Sequence, residues 1–70
     1  MVSDIRAQQA REHHERASAA AALAERHREQ RNRLVRALRD ADPRRWTYPA
    51  LAKAVGCSPE LIAAIVKGRT

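Results

Sequence analysis

The sequence has one cysteine, Cys57, and no long apolar run among its 70 residues. A single cysteine excludes a disulfide within the chain, and such sparing use of cysteine is typical of cytosolic proteins. No stretch approaches the roughly 20 apolar residues of a membrane span, and the opening MVSDIRAQQA has no signal-peptide core. We therefore expect a soluble cytoplasmic protein with no membrane partner.

The sequence also lacks the residue sets that catalysis and metal binding require. No nucleophile, general base and orienting acid stand out as a group, and so short a chain leaves little room for a substrate pocket. His13 and His27 would lie about 21 Å apart along one helix, which is too far to chelate a metal together. A metal shared between two chains is the remaining alternative. We expect no enzymatic activity, no cofactor, no metal and no small-molecule substrate.

Acidic residues are scarce in the C-terminal part of the chain. Residues 1–30 contain five arginines and five acidic residues, so their net charge is zero. Residues 31–70 contain nine Lys and Arg but only three acidic residues, so this part carries the whole net charge of +6. A confined positive charge of this kind indicates a polyanionic partner, and double-stranded DNA is the one we expect. The alternative is a solvated basic surface without a partner.

Proline and glycine are absent between Asp4 and Ala41, where Ala, Arg, Glu, Gln and Leu dominate. These residues are strong helix formers, so the segment predicts one long helix. Ser3 is the predicted N-cap, and Pro43 stops the helix shortly after Ala41. The helix would be about 57 Å long, which is more than a small domain needs for its own core.

Small and apolar residues recur along this helix at heptad spacing. Two heptad positions carry mostly alanine and leucine, with His13, His27 and Arg31 interrupting them. The spacing predicts a thin seam that binds a second copy of the chain or a larger protein. Because small side chains bury little apolar area, we expect the affinity of this pairing to be modest. A single solvated helix is the alternative. The predicted seam residues are Ala17, Ala20, Leu23, Ala24, His27 and Leu34.

The segment after Pro43 contains many residues that typically begin or end helices. Thr47 is a natural N-cap with proline two residues later, and Trp46 can pack on Leu51 as a hydrophobic staple. Gly56 can adopt the left-handed conformation that a sharp turn needs. Ser58 then caps a further helix. We expect two short helices, over residues 48–55 and 59–67.

Residues 48–67 resemble the helix-turn-helix core of bacterial and phage repressors. The likeness rests on a small Ala52 where the helices cross, on Gly56 at the turn, and on apolar residues at the inner positions, which are Leu51, Val55, Ile62 and Ile65. Leu34, Val35 and Leu38 at the end of the long helix would complete a trihelical domain. The resemblance implies an all-α fold with an N-terminal extension over residues 1–30 and a helix-turn-helix domain over residues 31–70.

The resemblance also implies a DNA-binding surface, because the second helix of such a motif enters the major groove. The base-facing positions would be Ser58, Pro59, Glu60, Ala63, Ala64 and Lys67. The better candidates for phosphate contacts are Arg44, Arg45, Thr47, Tyr48, Lys53 and Arg69. The base-facing set departs from the usual pattern, since it offers no Arg, Asn or Gln for a bidentate contact, and we therefore expect strong backbone contacts but only modest direct reading of bases.

Two functions therefore remain open from the sequence. The first is a small dimeric transcriptional regulator, or another DNA-binding accessory factor, at the nucleoid. The second is an interaction module whose long helix and apolar ELIAAIV segment dock on a larger protein. The confined charge and the intact turn favour the first function, and the missing base-reading side chains favour the second.

Overall fold

A computed structural model describes residues 4–70 of the chain. It contains three helices, α1 (Ile5–Ala41), α2 (Tyr48–Val55) and α3 (Pro59–Val66), and no strand within the described range. The molecule measures 67 × 18 × 17 Å, because α1 extends well beyond the unit that the three helices form together. The predicted all-α fold, with a long N-terminal helix followed by two short ones, is confirmed.

Helix α1 begins one residue later than expected. Asp4 is its N-cap, and its carboxylate accepts hydrogen bonds from the backbone N–H and the guanidinium of Arg6. These bonds lower the pKa of Asp4 because they stabilise its charged form. Ser3, the cap expected from the sequence, lies outside the described residues. The C-terminal end at Ala41 agrees with the prediction from Pro43.

The sharp corner between α2 and α3 has the predicted cause. Thr47 caps α2 by accepting from the N–H of Ala50, and Ser58 caps α3 by accepting from the N–H of Leu61. Between the helices Gly56 has φ 87°, which is the left-handed region. The helix pair is bent by 109° at this break. Helix α3 ends one residue before the predicted Lys67, which serves as its C-cap.

The core is small and lies where α3 packs against both α1 and α2. It consists of five apolar residues, at most 5% exposed, which are Val35, Leu51, Ala52, Ile62 and Ile65. Trp46 and Tyr48 are half-buried against this cluster. The trihelical unit therefore includes only the last part of α1.

Three residues expected in the core are outside it. Leu34 and Leu38 are 61% and 38% exposed, and Val55 is 40% exposed. Helix α1 turns Asn32 and Val35 toward the core, so Leu34, one residue or about 100° from Val35, faces solvent instead. Val55 is the last residue of α2 and precedes the turn, where the chain leaves the core.

Candidate nucleic-acid interface

The outer face of α3 carries four of the six predicted base-facing residues. Glu60, Ala63, Ala64 and Lys67 follow each other at intervals of three, one and three residues, so they share the face opposite the buried core residues of α3. Glu60 and Lys67 are exposed, whereas both alanines are half-buried. This face is nearly flat, with one negative and one positive side chain at its two ends.

Ser58 and Pro59 lie at the N-terminal end of α3, and both are exposed. The Ser58 hydroxyl oxygen accepts from the Leu61 N–H at 3.1 Å, which leaves its O–H as a donor. The caps place the first turn of α3 at the surface, directly after the Gly56 corner. Four of the six predicted base-facing residues are therefore exposed, and the two alanines between them are half-buried.

The turn between α1 and α2 presents two exposed arginines, Arg44 and Arg45. Its backbone is fixed by Asp42, whose carboxylate accepts from the Arg45 N–H at 3.1 Å and whose carbonyl accepts from the Trp46 N–H at 2.9 Å. The Arg45 guanidinium lies 5.0 Å from the centre of the Trp46 ring. The turn thus holds both cations on an ordered backbone.

Arg39, which is half-buried, also holds the backbone of this turn. This role was not identified from the sequence. One of the Arg39 guanidinium nitrogens donates to the carbonyls of Pro43 and Trp46, each at 3.0 Å. The guanidinium also lies 4.9 Å from the centre of the Tyr48 ring. A sequence signal did exist, since Arg39 is in the last turn of α1, where cations bind exposed carbonyls.

Arg36 and Asn32 connect α1 to the C-terminal end of the trihelical unit. Neither role was identified from the sequence. Arg36 donates to the Ile65 carbonyl at 2.9 Å, and Asn32 donates to the Thr70 carbonyl at 3.2 Å. Asn32 is only 7% exposed, and its side-chain amide is satisfied by the Thr70 carbonyl and by the Nε of Arg31, which donates to its oxygen. Arg36 thus attaches the C-terminal end of α3 to α1, and Asn32 attaches Thr70, which follows α3. Their positions follow from the packing of α1 on α3, which no local pattern in the sequence shows.

The basic residues of the C-terminal part therefore divide into two groups. Arg31, Arg36 and Arg39 are half-buried and donate to partners within the chain. The others are exposed and lie on different segments of the surface, at Arg33, Arg44, Arg45, Lys53, Lys67 and Arg69. Thr47 is exposed as well, whereas Tyr48 is half-buried with Arg39 above its ring. The residues that are predicted to contact phosphates thus lie in three separate segments, which are the turn before α2, α2 itself and the residues after α3.

The predicted seam lies apart from this surface, on α1. Each of its six residues is exposed, and α1 buries only Asn32 and Val35 among the residues that the structure describes. His27 belongs to this exposed seam, and no group of three potential metal ligands occurs within residues 4–70. Cys57 is half-buried and packs against the core.

Within residues 4–70 no single helix is long and apolar enough to cross a membrane, although α2 and α3 together have the length and composition of a bent span.

Comparison of the chain with models of protein families, with curated proteins and with solved structures finds no match in any of the three. The case for a function therefore rests on the residues and geometry of the chain itself.

Proposed function

We propose that the protein binds double-stranded DNA and places α3 in the major groove. The observation that carries this proposal is the α2–α3 corner, where Gly56 at φ 87° allows a bend of 109° and leaves the outer face of α3 uncovered. Helix pairs of DNA-binding helix-turn-helix motifs meet at roughly 90–120°. The corner thus matches the arrangement in which the second helix enters the groove while the first lies across the backbone.

Phosphate contacts supply most of the affinity in this proposal. Arg44 and Arg45 precede the N-terminal end of α2, and Thr47 and Tyr48 form that end, which carries a partial positive charge. Lys53 and Arg69 extend the basic surface along α2 and beyond α3. Because Arg39 holds the turn in place, the first two cations reach the DNA from a fixed backbone, and little conformational entropy is lost on binding.

Direct reading of bases is modest in this proposal. Glu60 can accept a hydrogen bond from cytosine, Lys67 can donate to guanine, and Ala63 and Ala64 can contact a thymine methyl group. The half-buried alanines bring the α3 backbone close to the groove floor but offer no hydrogen bond. We infer that the remaining specificity comes from DNA shape and from the spacing of two half-sites.

The biological role that fits these properties is a small transcriptional regulator or DNA-binding accessory factor, without catalytic activity, cofactor or small-molecule substrate. Such a protein works in the cytoplasm, on the nucleoid. The exposed length of α1 supports association with a second copy or with a larger protein. Two copies would bring two α3 helices to one DNA site.

A titration of labelled duplexes against salt tests this proposal. Binding to random duplexes should be measurable by fluorescence anisotropy at low salt, and log affinity should fall linearly with log salt, with a slope of about −0.9 for each phosphate contacted. A selected sequence should bind more tightly than random DNA. Failure to bind any duplex at 50 mM salt, or binding that salt does not weaken, would contradict the proposal.

A second candidate function is docking on a protein partner through α3 and its neighbourhood. It is favoured by the two half-buried alanines in the middle of the outer α3 face and by the 40% exposure of Val55 at the nearby corner. Ala64→Arg separates the two functions, because added positive charge should strengthen DNA binding or leave it intact but should disrupt an apolar protein interface.

A further inference from the structure

One side of α1 presents apolar residues that the rest of the described chain does not cover. Leu23, Leu34 and Leu38 are 52%, 61% and 38% exposed, and α1 buries only Asn32 and Val35 among the described residues. Leu34 and Leu38 occupy heptad positions, whereas Leu23 precedes the heptad position of Ala24 and flanks it. The heptad positions on this side form a stripe about 36 Å long. We call it the pairing stripe, and its residues are Ala17, Ala20, Ala24, His27, Arg31, Leu34, Leu38 and Ala41.

We propose that the pairing stripe binds the same stripe of a second copy, with the two α1 helices antiparallel. In the register that we propose, Leu34 of each copy lies opposite the partner's Ala24, and Leu38 lies opposite the partner's Ala20. The ends of the stripe then meet as well, because Ala41 faces the partner's Ala17.

The order of large and small side chains along the stripe selects this direction. The two leucines of the stripe lie near its C-terminal end, and three alanines lie near its N-terminal end. Antiparallel pairing sets each leucine of the stripe against an alanine, so no layer of the interface brings two leucines together. Parallel pairing sets leucine on leucine and alanine on alanine. The helices would then splay, and a gap of only roughly 0.5–1 Å forfeits a quarter to a half of the dispersion attraction.

The distribution of charge selects the same direction. Residues 31–70 carry the whole net charge of +6, whereas residues 1–30 are neutral. Parallel pairing would bring two strongly basic units side by side and would place Arg31 against its own copy, which is repulsive. Antiparallel pairing places each basic unit beside the neutral segment of the partner, with Arg31 opposite His27. Arg31 is also turned toward its own chain, where its Nε donates to Asn32 at 3.1 Å.

The direction and the register of this pairing go beyond the proposed function, which names only association with a second copy or a larger protein, and they require no DNA. The stripe is narrow and contains many alanines, so each copy buries little area and the affinity is modest. A modest affinity lets the concentration of the protein, or a DNA site that binds two copies, control assembly.

Site-specific disulfide formation tests the direction of pairing in the full chain. In a Cys57→Ser background, Ala17→Cys alone and Ala41→Cys alone should give almost no covalent dimer under mild oxidation, whereas an equimolar mixture of the two should cross-link efficiently. Ser18→Cys mixed with Ala41→Cys is the matched control and should not cross-link, because residue 18 lies at nearly the same level of α1 but is rotated about 100° from residue 17, outside the stripe. Efficient cross-linking of Ala17→Cys with itself would overturn the proposal.

Sedimentation measures the pairing itself. Leu34→Ala removes two leucine side chains from each dimer and should raise the dimer dissociation constant at least about tenfold. Because Leu34 is 61% exposed and lies outside the core, helical content should not change. Val55→Ala, a change of an exposed apolar residue away from the stripe, should leave the dissociation constant unaltered. A parent protein that stays monomeric at 1 mM, or a Leu34→Ala variant that pairs as the parent does, would refute the pairing.

Discussion

The guanidinium of Arg39 donates to the backbone carbonyl of Trp46 at 3.0 Å, across the turn that joins α1 to α2. This bond connects the end of the long helix to the residue just before the Thr47 cap. The same guanidinium nitrogen donates to the Pro43 carbonyl, and the ring of Tyr48 lies beneath the group. The most basic part of the proposed DNA surface is therefore attached to the folded core by a cation that is itself half-buried.

Arg39→Gln should lower the free energy of unfolding by about 1–2 kcal/mol, because two charge-assisted hydrogen bonds and the stacking on Tyr48 are lost. Urea unfolding followed by circular dichroism measures the change. Arg33→Gln is the matched control, since Arg33 is exposed and bonds only to the neighbouring Gln30 side chain. Equal stabilities of the two variants would show that Arg39 does not fix the turn.

Arg44→Ala and Arg45→Ala should each weaken binding to every duplex by a similar factor and reduce the salt slope by about one unit. Both side chains are exposed, so stability should change little. The measurement is the same anisotropy titration at several salt concentrations. Arg11→Ala, which removes a cation from the N-terminal part of α1, should leave the slope unchanged. A slope that responds to Arg11 but not to Arg44 would move the DNA surface to α1.

Glu60→Ala should change which base is preferred at one position of the DNA site, by about 1–3 kcal/mol at most, because Glu60 is the acceptor that can read cytosine. A selection from random duplexes before and after the change measures this preference. The effect should be smaller than that of the arginines on overall affinity. Glu29→Ala, on the exposed part of α1, should leave the preference unaltered. An identical preference for the parent and Glu60→Ala would show that Glu60 does not read bases.

Gly56→Val should destabilise the fold by about 1 kcal/mol or more, because a β-branched residue is strained at a φ of 87°. A Cβ at this position would meet no atom within 4 Å, so the cost arises from the backbone and not from a clash. Gly56→Asn is the informative companion, since asparagine tolerates the left-handed region and should cost much less. If both variants lost the same stability, conformational strain would not be the cause.

Much of the fold was predictable because its signals are local. Thr47, Gly56 and Ser58 act within one turn of their own positions, and each has the role that its residue type indicates. Leu34 and Leu38 were placed wrongly because hydrophobicity alone does not fix the rotation of α1 about its axis, and Val55 was placed wrongly because it ends α2, where the chain leaves the core. Packing on α3 fixes that rotation, and it turns Val35 inward.

The candidate site was only partly predictable for the same reason. Arg36 and Arg39 belong to the same basic run as Arg33, yet they are half-buried and bind carbonyls, whereas Arg33 is exposed. Which arginines remain exposed depends on tertiary contacts between segments that are distant in sequence. The exposed positions of α3 follow more directly, because helical periodicity places them opposite Ile62 and Ile65.

An NMR titration of the labelled protein with a short duplex at low salt tests most directly whether α3 and the preceding basic turn form the DNA surface. The largest amide shift changes should fall in residues 44–48 and 58–69, with little change in residues 5–30. Changes confined to residues 5–30, or no change with any duplex, would contradict this placement of the DNA surface.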